Sequence, residues 1–297
     1  LKALILIFAC SFLCQPADAY NGAIGTTTMD FLNLTTSVRA AAMGDTFVAI
    51  ADDPSAIYWN PAGLTRARSQ QLSSMHADWF EDINYTTFSI IKPLEQGAAS
   101  GITINYIDLG KIEETTPAHP GGTGRFFSSW SGSLGLALAK KVSPELSLGG
   151  HGKFLSENIG YSQISGYALD LGLLLDLSPD VSVGVSARNM GAVSGVTDPL
   201  PYSFRSGLAF RVNPRFRLGC DFLFPNDDRS SVHVGGEYAL NEMFCARLGF
   251  NTRRQGEVSG NYGLGMGIKL SSLQLDYAFV PYGELGATHL TSLNLSF

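Results

Sequence analysis

From about Gln70 to Phe297 the chain alternates apolar and polar residues with a period of two. Tyr167, Leu169, Leu171, Leu173, Leu175 and Leu177 fall on one face, and Ala168, Asp170, Gly172, Leu174 and Asp176 on the other. Between Phe216 and Phe224, Arg217, Gly219 and Asp221 interleave with Phe216, Leu218, Cys220 and Phe222. Between Tyr262 and Leu270, Gly263, Gly265, Gly267 and Lys269 do the same. Such runs, aromatic at their ends and aliphatic in the middle, predict strands of a wall that faces lipid.

The runs predict strands near 70–79, 83–92, 98–108, 126–141, 145–156, 163–177, 180–189, 202–212, 215–224, 231–240, 243–251, 259–270, 272–280 and 288–297. That is about fourteen, an even number, as bacterial single-chain barrels require. Short turns at 93–97, 142–144, 178–179, 213–214, 241–242 and 271 alternate with longer connections at 79–83, 109–125, 157–162, 190–201, 225–230, 251–258 and 281–287. Short periplasmic turns and long extracellular loops produce this rhythm, whereas a soluble sandwich has no reason to. The expected fold class is all-β, a transmembrane antiparallel up-and-down barrel spanning 67–297.

One stretch breaks the pattern. In Arg39–Leu64, Asp53 precedes Pro54 and Asn60 precedes Pro61, two sites where a side chain can cap a short helical turn with proline in its first position. A short, partly helical plug is expected within 20–66, in or under the barrel mouth on the short-turn side, with Tyr20–Thr36 as an extended periplasmic lead-in. Asn60–Gly63 would be its hinge if it moves and the cap of the barrel if it does not.

The N-terminus reads as an export signal: Lys2, an apolar core from Ala3 to Cys14, and Ala17-Asp18-Ala19 as a cleavage site. Cleavage after residue 19 and location in the bacterial outer membrane are expected. Cys10 and Cys14 leave with the signal, and Cys220 and Cys245 fall on opposite faces of different strands, so no disulfide is expected. Charged residues make up only 15% of the chain and the net charge is −6, with no basic block, which excludes nucleic acid as a partner.

With the apolar rows toward lipid, the opposite rows line the lumen. They carry Asp170, Arg188, Arg205, Arg217, Asp221, Glu237, Arg247 and Asp276, charges too costly to face hydrocarbon. The same rows hold Gly149, Gly172, Gly184, Gly207, Gly219, Gly235, Gly249, Gly263, Gly265 and Gly267. Two readings follow: a ligand cavity or channel, or a salt-bridged network packed around the plug. His76, His119, His151, His233 and His289 lie in separate strands or loops without metal-ligand spacing, and no nucleophile motif occurs. No enzyme, metal or cofactor is expected.

Two features carry resemblances. The last strand, with Leu293, Leu295 and Phe297 on one face, resembles the signal read by the barrel assembly machinery. The stretch from Arg39 to Leu64, with Gly44, Asp52, Asp53, Pro54, Tyr58, Trp59, Asn60, Pro61, Ala62 and Gly63, resembles the N-terminal motif of PorV/PorQ-family outer-membrane proteins. That family is similar to the FadL-type long-chain fatty-acid transporters, and Asp45 departs from its pattern of small residues. The resemblance implies transport or type IX protein export across the outer membrane, with secretion-system proteins as partners. Alternatively it implies uptake of a hydrophobic ligand, or a non-conducting scaffold that docks partner proteins.

Overall fold

The computed structural model describes residues 25–79, 83–253 and 261–297; the expected signal peptide lies outside them. Fourteen strands form the wall: β1 (Gln71–Asp78), β2 (Asn84–Pro93), β3 (Ala98–Glu113), β4 (Phe126–Lys141), β5 (Leu146–Ile159), β6 (Ser162–Ser178), β7 (Val181–Val193), β8 (Ser203–Asn213), β9 (Phe216–Pro225), β10 (Ser231–Ala239), β11 (Phe244–Asn251), β12 (Tyr262–Leu270), β13 (Leu273–Pro281) and β14 (Ala287–Ser296). Each pairs antiparallel with its sequence neighbours, and β1 closes on β14 with Gln71 opposite Ser296 and Asp78 opposite His289. Closure leaves no strand edge unpaired, the condition for a sheet to cross a bilayer.

The outer face is apolar. Leu136 and Leu138 are each 66% exposed, with Ile102, Ile104, Leu134, Phe154 and Leu248 beside them. Only hydrocarbon can cover such a surface at low cost. Aromatic pairs mark its borders: Tyr106 stacks on Trp130 toward the long loops, and Phe216 meets Tyr238 toward the short turns.

The wall is uneven in height. Strands β3–β7 run 13–17 residues, the others 8–11. The alternation ends near 108 and 189, but pairing continues past it. After a bulge at Asp108, Lys111–Glu113 pair with Ser128–Phe126, and a second bulge in β7 around Arg188–Asn189 carries that strand on to Val193. The extra residue at each bulge breaks the period of two that marks a strand in sequence.

The lumen is filled by the chain's own N-terminal segment. Residues 25–36 do not form an extended lead-in beneath the barrel. A short 3-10 turn (Asp30–Asn33) lies at the long-loop end, where the Thr28 amide donates to Pro199 O, and Thr27 Oγ1 and Asn33 Nδ2 donate to Asp227. The reason is burial: Met29, Phe31 and Leu32 pack with Met75, Tyr85, Ile107, Leu155, Leu200 and Leu290, which no periplasmic position would offer. Helix α1 (Val38–Ala42), capped by Ser37 Oγ accepting from the Ala40 amide, then lies on β11–β13. Helix α2 (Ala56–Trp59) and a 3-10 turn (Pro61–Arg66) lead to the short-turn end and into β1.

Between these helices the plug follows the inner wall as a belt, and the inward glycines make room for it. A Cβ at Gly263 would fall within 3.0 Å of Ala41, at Gly235 or Gly249 of Met43, at Gly219 of Thr46, at Gly184 of Val48, at Gly172 of Asn60 and at Gly149 of Pro61 and Ala62. Most of these clashes are with plug backbone, which cannot swing aside. The packed-plug reading of the inward rows therefore holds, and the space left by the glycines is occupied. Gly172→Val should overpack this seat by about 1–3 kcal/mol or more and lift Asn60–Ala62 from the wall. The expected outcome is a barrel that still shifts between unboiled and boiled samples on a denaturing gel, with residues 25–66 newly open to protease.

Candidate functional site

The signature residues converge on the plug–wall contact. Gly44 has φ +63° and its carbonyl accepts from His233 Nδ1 at 2.7 Å, while a side chain there would strike the Phe250 backbone. Asn60 is fully buried. Its amide donates to Val48 O (2.8 Å) and Leu173 O (2.9 Å), and its carbonyl accepts from the Ala62 amide, capping the turn that Pro61 begins. Gly63 passes so close to the Ala51 carbonyl that no side chain fits. Asn60, Pro61 and Ala62 are thus seated against β5 and β6, and Gly63 against Ala51 of the plug itself. Asp53 accepts from the Ser55 amide at 2.9 Å, closing the turn through Pro54 into α2.

The lumen charges form two groups. Toward the short turns, Asp52 is held between Arg39 and Arg217. Arg39 also grips Glu237 through two bonds of 2.7 Å; Glu237 accepts from Arg247, and Arg247 donates to Asp276. This chain of alternating charge runs from the plug through β9, β10, β11 and β13. Burial pushes the Asp52 carboxyl up, but the two guanidiniums outweigh it and hold it well below the usual carboxylate range. Burial pushes Asp53 up, and the more distant Arg39 guanidinium, at 3.3 Å, offsets only part of this. Arg66, which the sequence reading passed over, ties Ala49 O and Ile50 O of the plug to Asp176 and Ser182 of the wall.

Higher in the lumen, Asp221 accepts from the Phe47 and Val48 amides (2.8 and 3.0 Å) and pairs with Arg205. Arg188 and Arg205 lie over the rings of Tyr58 (4.1 Å) and Trp59 (4.9 Å), so α2 is seated on cation–π contacts. Asp170 binds His151, Lys153 and the amide of Asn189, whose left-handed φ of +59° belongs to the β7 bulge. No sequence signal marked Asn189, because a bulge is recognisable only from the strand it opposes. Leu293 and Leu295 lie on the last strand, opposite Ser74 and Leu72 of β1, and Phe297 follows it directly, its amide donating to Gln70 O. Cys220 and Cys245 are free, and among the described residues no group of three His, Cys, Asp or Glu side chains could hold a metal ion.

The two ends of the lumen differ. At the short-turn end, three cavities of about 790, 330 and 200 Å³ adjoin, and each is bordered by two of Arg39, Asp52 and Arg217, forming a polar bowl. At the long-loop end the cavities are small, about 10 Å³ between Phe31, Leu32, Tyr58, Tyr85, Thr103 and His151 and about 40 Å³ beside Asp45, Trp79, Tyr262 and Tyr282. Beyond that, the inner face of the tall wall carries Ile112 opposite Phe127, Ile159 opposite the buried Ser129, and Ile164 opposite Glu157. Ile112 and Ile159 are exposed, so an apolar surface overlooks the long-loop mouth.

No protein-family model and no curated protein matches the sequence. Solved structures do match the fold. The toluene transporter TbuX of Ralstonia pickettii superposes with a TM-score of 0.65 at 14% identity, covering 88% of this chain and 98% of that one. The toluene transporter TodX of Pseudomonas putida gives 0.63 at 13% identity over 87% and 96%. A FadL homologue of Pseudomonas aeruginosa gives 0.61 at 14% identity over 89% and 98%. The first two of these neighbours are toluene transporters. At such low identity the likeness concerns architecture: the chain has the closed fourteen-strand fold of FadL-type outer-membrane barrels.

Proposed function

We propose that this chain is an outer-membrane transporter for hydrophobic small molecules, closed in the present state by its own plug. One observation carries the reading. The long-loop half of the lumen holds an apolar cluster of Tyr85, Ile107, Leu155, Val193, Leu200 and Leu290, and it is occupied by Met29, Phe31 and Leu32 of the same chain. An apolar solute resting on Ile112, Phe127, Ile159 and Ile164 would have the same chemistry as the side chains it must replace. The naming of structural neighbours as toluene transporters and a monoaromatic hydrocarbon channel supports the choice of solute class. Export through a cleaved signal peptide, insertion by the assembly machinery through Leu293, Leu295 and Phe297, and residence in outer-membrane lipid complete the proposal.

A second reading rests on a different observation. Asp52, Asn60, Pro61 and Ala62 all serve to fix the plug to the wall. A plug built to stay suits a PorV/PorQ-like docking barrel that receives secretion-system proteins better than it suits a conduit.

Two measurements separate them. Asp227→Ala with Phe31→Ala should free residues 25–34 and raise uptake of a neutral aromatic such as toluene several-fold in cells carrying the barrel. If this variant, folded by the gel test, takes up no more toluene than wild type and wild type captures exported proteins, the docking reading stands instead. Asp52→Asn should remove about 1.5–3 kcal/mol of hold on the plug, the worth of hydrogen bonds to charged groups, and raise single-barrel conductance in planar bilayers. Because the folded Asp52 value lies below its unfolded one, its contribution is present above about pH 4 and is lost as pH falls through the folded value. Wild type should therefore open at strongly acidic pH, and Asp52→Asn should lack this component.

A further inference from the structure

The outer wall is not apolar everywhere. One row of cross-strand partners runs Tyr106, Thr86, His76, Thr291, Tyr277, Met266, Ala246, Tyr238, Phe216, passing from β3 through β2, β1, β14, β13, β12, β11 and β10 to β9. It begins at the aromatic border on the long-loop side and ends at the border on the short-turn side, because tilted strands carry a register row across the membrane as it circles the barrel. Thr86, His76, Thr291 and Tyr277 therefore lie between the two borders, on the face that elsewhere carries Leu, Ile and Phe.

The neighbouring rows widen this strip. Asp78 sits opposite His289, and Ser74 opposite Leu293. The side chains form an outward network: His76 bonds Thr86 Oγ1 (3.0 Å) and Asp78 (3.1 Å), and Tyr277 Oη bonds His289 Nδ1 (2.7 Å). The side chains of His76 and Asp78 remain 47% and 69% exposed. Histidine and aspartate against acyl chains are unfavourable. Two strands beyond β2, the outward positions of β4 are Leu134, Leu136 and Leu138, and the first two stand in register with Ile104 and Ile102 of β3.

We propose that the strip across β13, β14, β1 and β2 is a self-association surface, covered in the membrane by a second copy of this chain. Two copies inserted by the same route share one orientation, so a pair is related by an axis along the membrane normal. Each residue then meets its own depth on the partner. A strip that holds donors and acceptors together at one depth is satisfied by itself, which a lipid tail cannot do. Small side chains at Ser74, Thr86 and Thr291 let two walls approach closely, as small and hydroxyl residues do between membrane helices. The strip faces away from the lumen, on the outer side of strands whose inner side meets α1, Met29, Phe31 and Leu32, so cross-linking on it reads the pairing separately from what the lumen carries.

Cysteine cross-linking in native outer membranes tests the pairing. In a background of Cys220→Ala and Cys245→Ala, Thr291→Cys and, separately, Ser74→Cys should give a band of twice the monomer mass on oxidation with copper phenanthroline, and Leu136→Cys should not. In nanodiscs, full-length protein should run as a dimer by mass photometry. The triple variant His76→Leu, Thr86→Val, Thr291→Val should lower the dimer fraction at least tenfold while keeping the gel shift of a folded barrel. Equal cross-linking at positions 74, 291 and 136, or a wild-type monomer at every protein-to-lipid ratio, would overturn the proposal. So would lipopolysaccharide that co-purifies with a wild-type monomer and is lost from the triple variant.

Discussion

Everything in this barrel depends on the contact between plug backbone and wall glycine. A fourteen-strand wall encloses more space than its own inward side chains fill. Here that space is taken by one continuous segment whose carbonyls and amides lie directly on the wall, from Ala41 on β12 to Ala62 on β5. The contact is possible because the wall offers no Cβ where the belt passes. Glycine weakens a strand by removing side-chain packing and adding entropy to the unfolded chain. The barrel accepts that cost at eight or more inward positions, and the plug replaces the packing that is lost.

A backbone laid against a sheet already bonded to itself must find its hydrogen-bond partners in side chains. That need accounts for the inward charges. Asp221 receives two plug amides, Asn60 spans plug and wall, and Arg66 takes two plug carbonyls. Most of the remaining charges pair among themselves, with Arg39 and Asp52 supplying the plug's share, and Arg188 lies over the Tyr58 ring. The charged residues are thus the complement of the belt, and no separate role in selecting ions is required to explain them.

The two ends then follow from composition. Met29, Phe31 and Leu32 pack into an apolar cluster of the lumen at the long-loop end. The segment before β1 carries Arg66 and Arg68 and leaves through the polar bowl. Under the proposed transport function, a solute entering at the long-loop end would meet the apolar cluster and then the ion-paired belt, and its passage would depend on the plug yielding.

The strand count, the closed antiparallel wall, the inward charges and the inward glycines were legible in the sequence by itself. The reason is that a strand shows its two faces directly as a period of two, and lipid enforces one of them. The cap at Asn60 was legible for a similar local reason, since Pro61 fixes the backbone beside it, whereas the cap expected at Asp53 falls to Ser55 at the start of α2, with Asp53 accepting from the Ser55 amide in the turn before it. The position of the plug was not legible. Gly172 reads identically whether it borders water or Asn60, and Phe31 gives no sign of which end of a barrel it will reach. The bulges at Asp108 and Asn189 and the partners of Arg39 and Arg66 were equally hidden, because each is defined by residues far away in the chain. Tertiary structure alone decided that the space left by the glycines is filled, since filling it requires a segment far away in the chain to lie there.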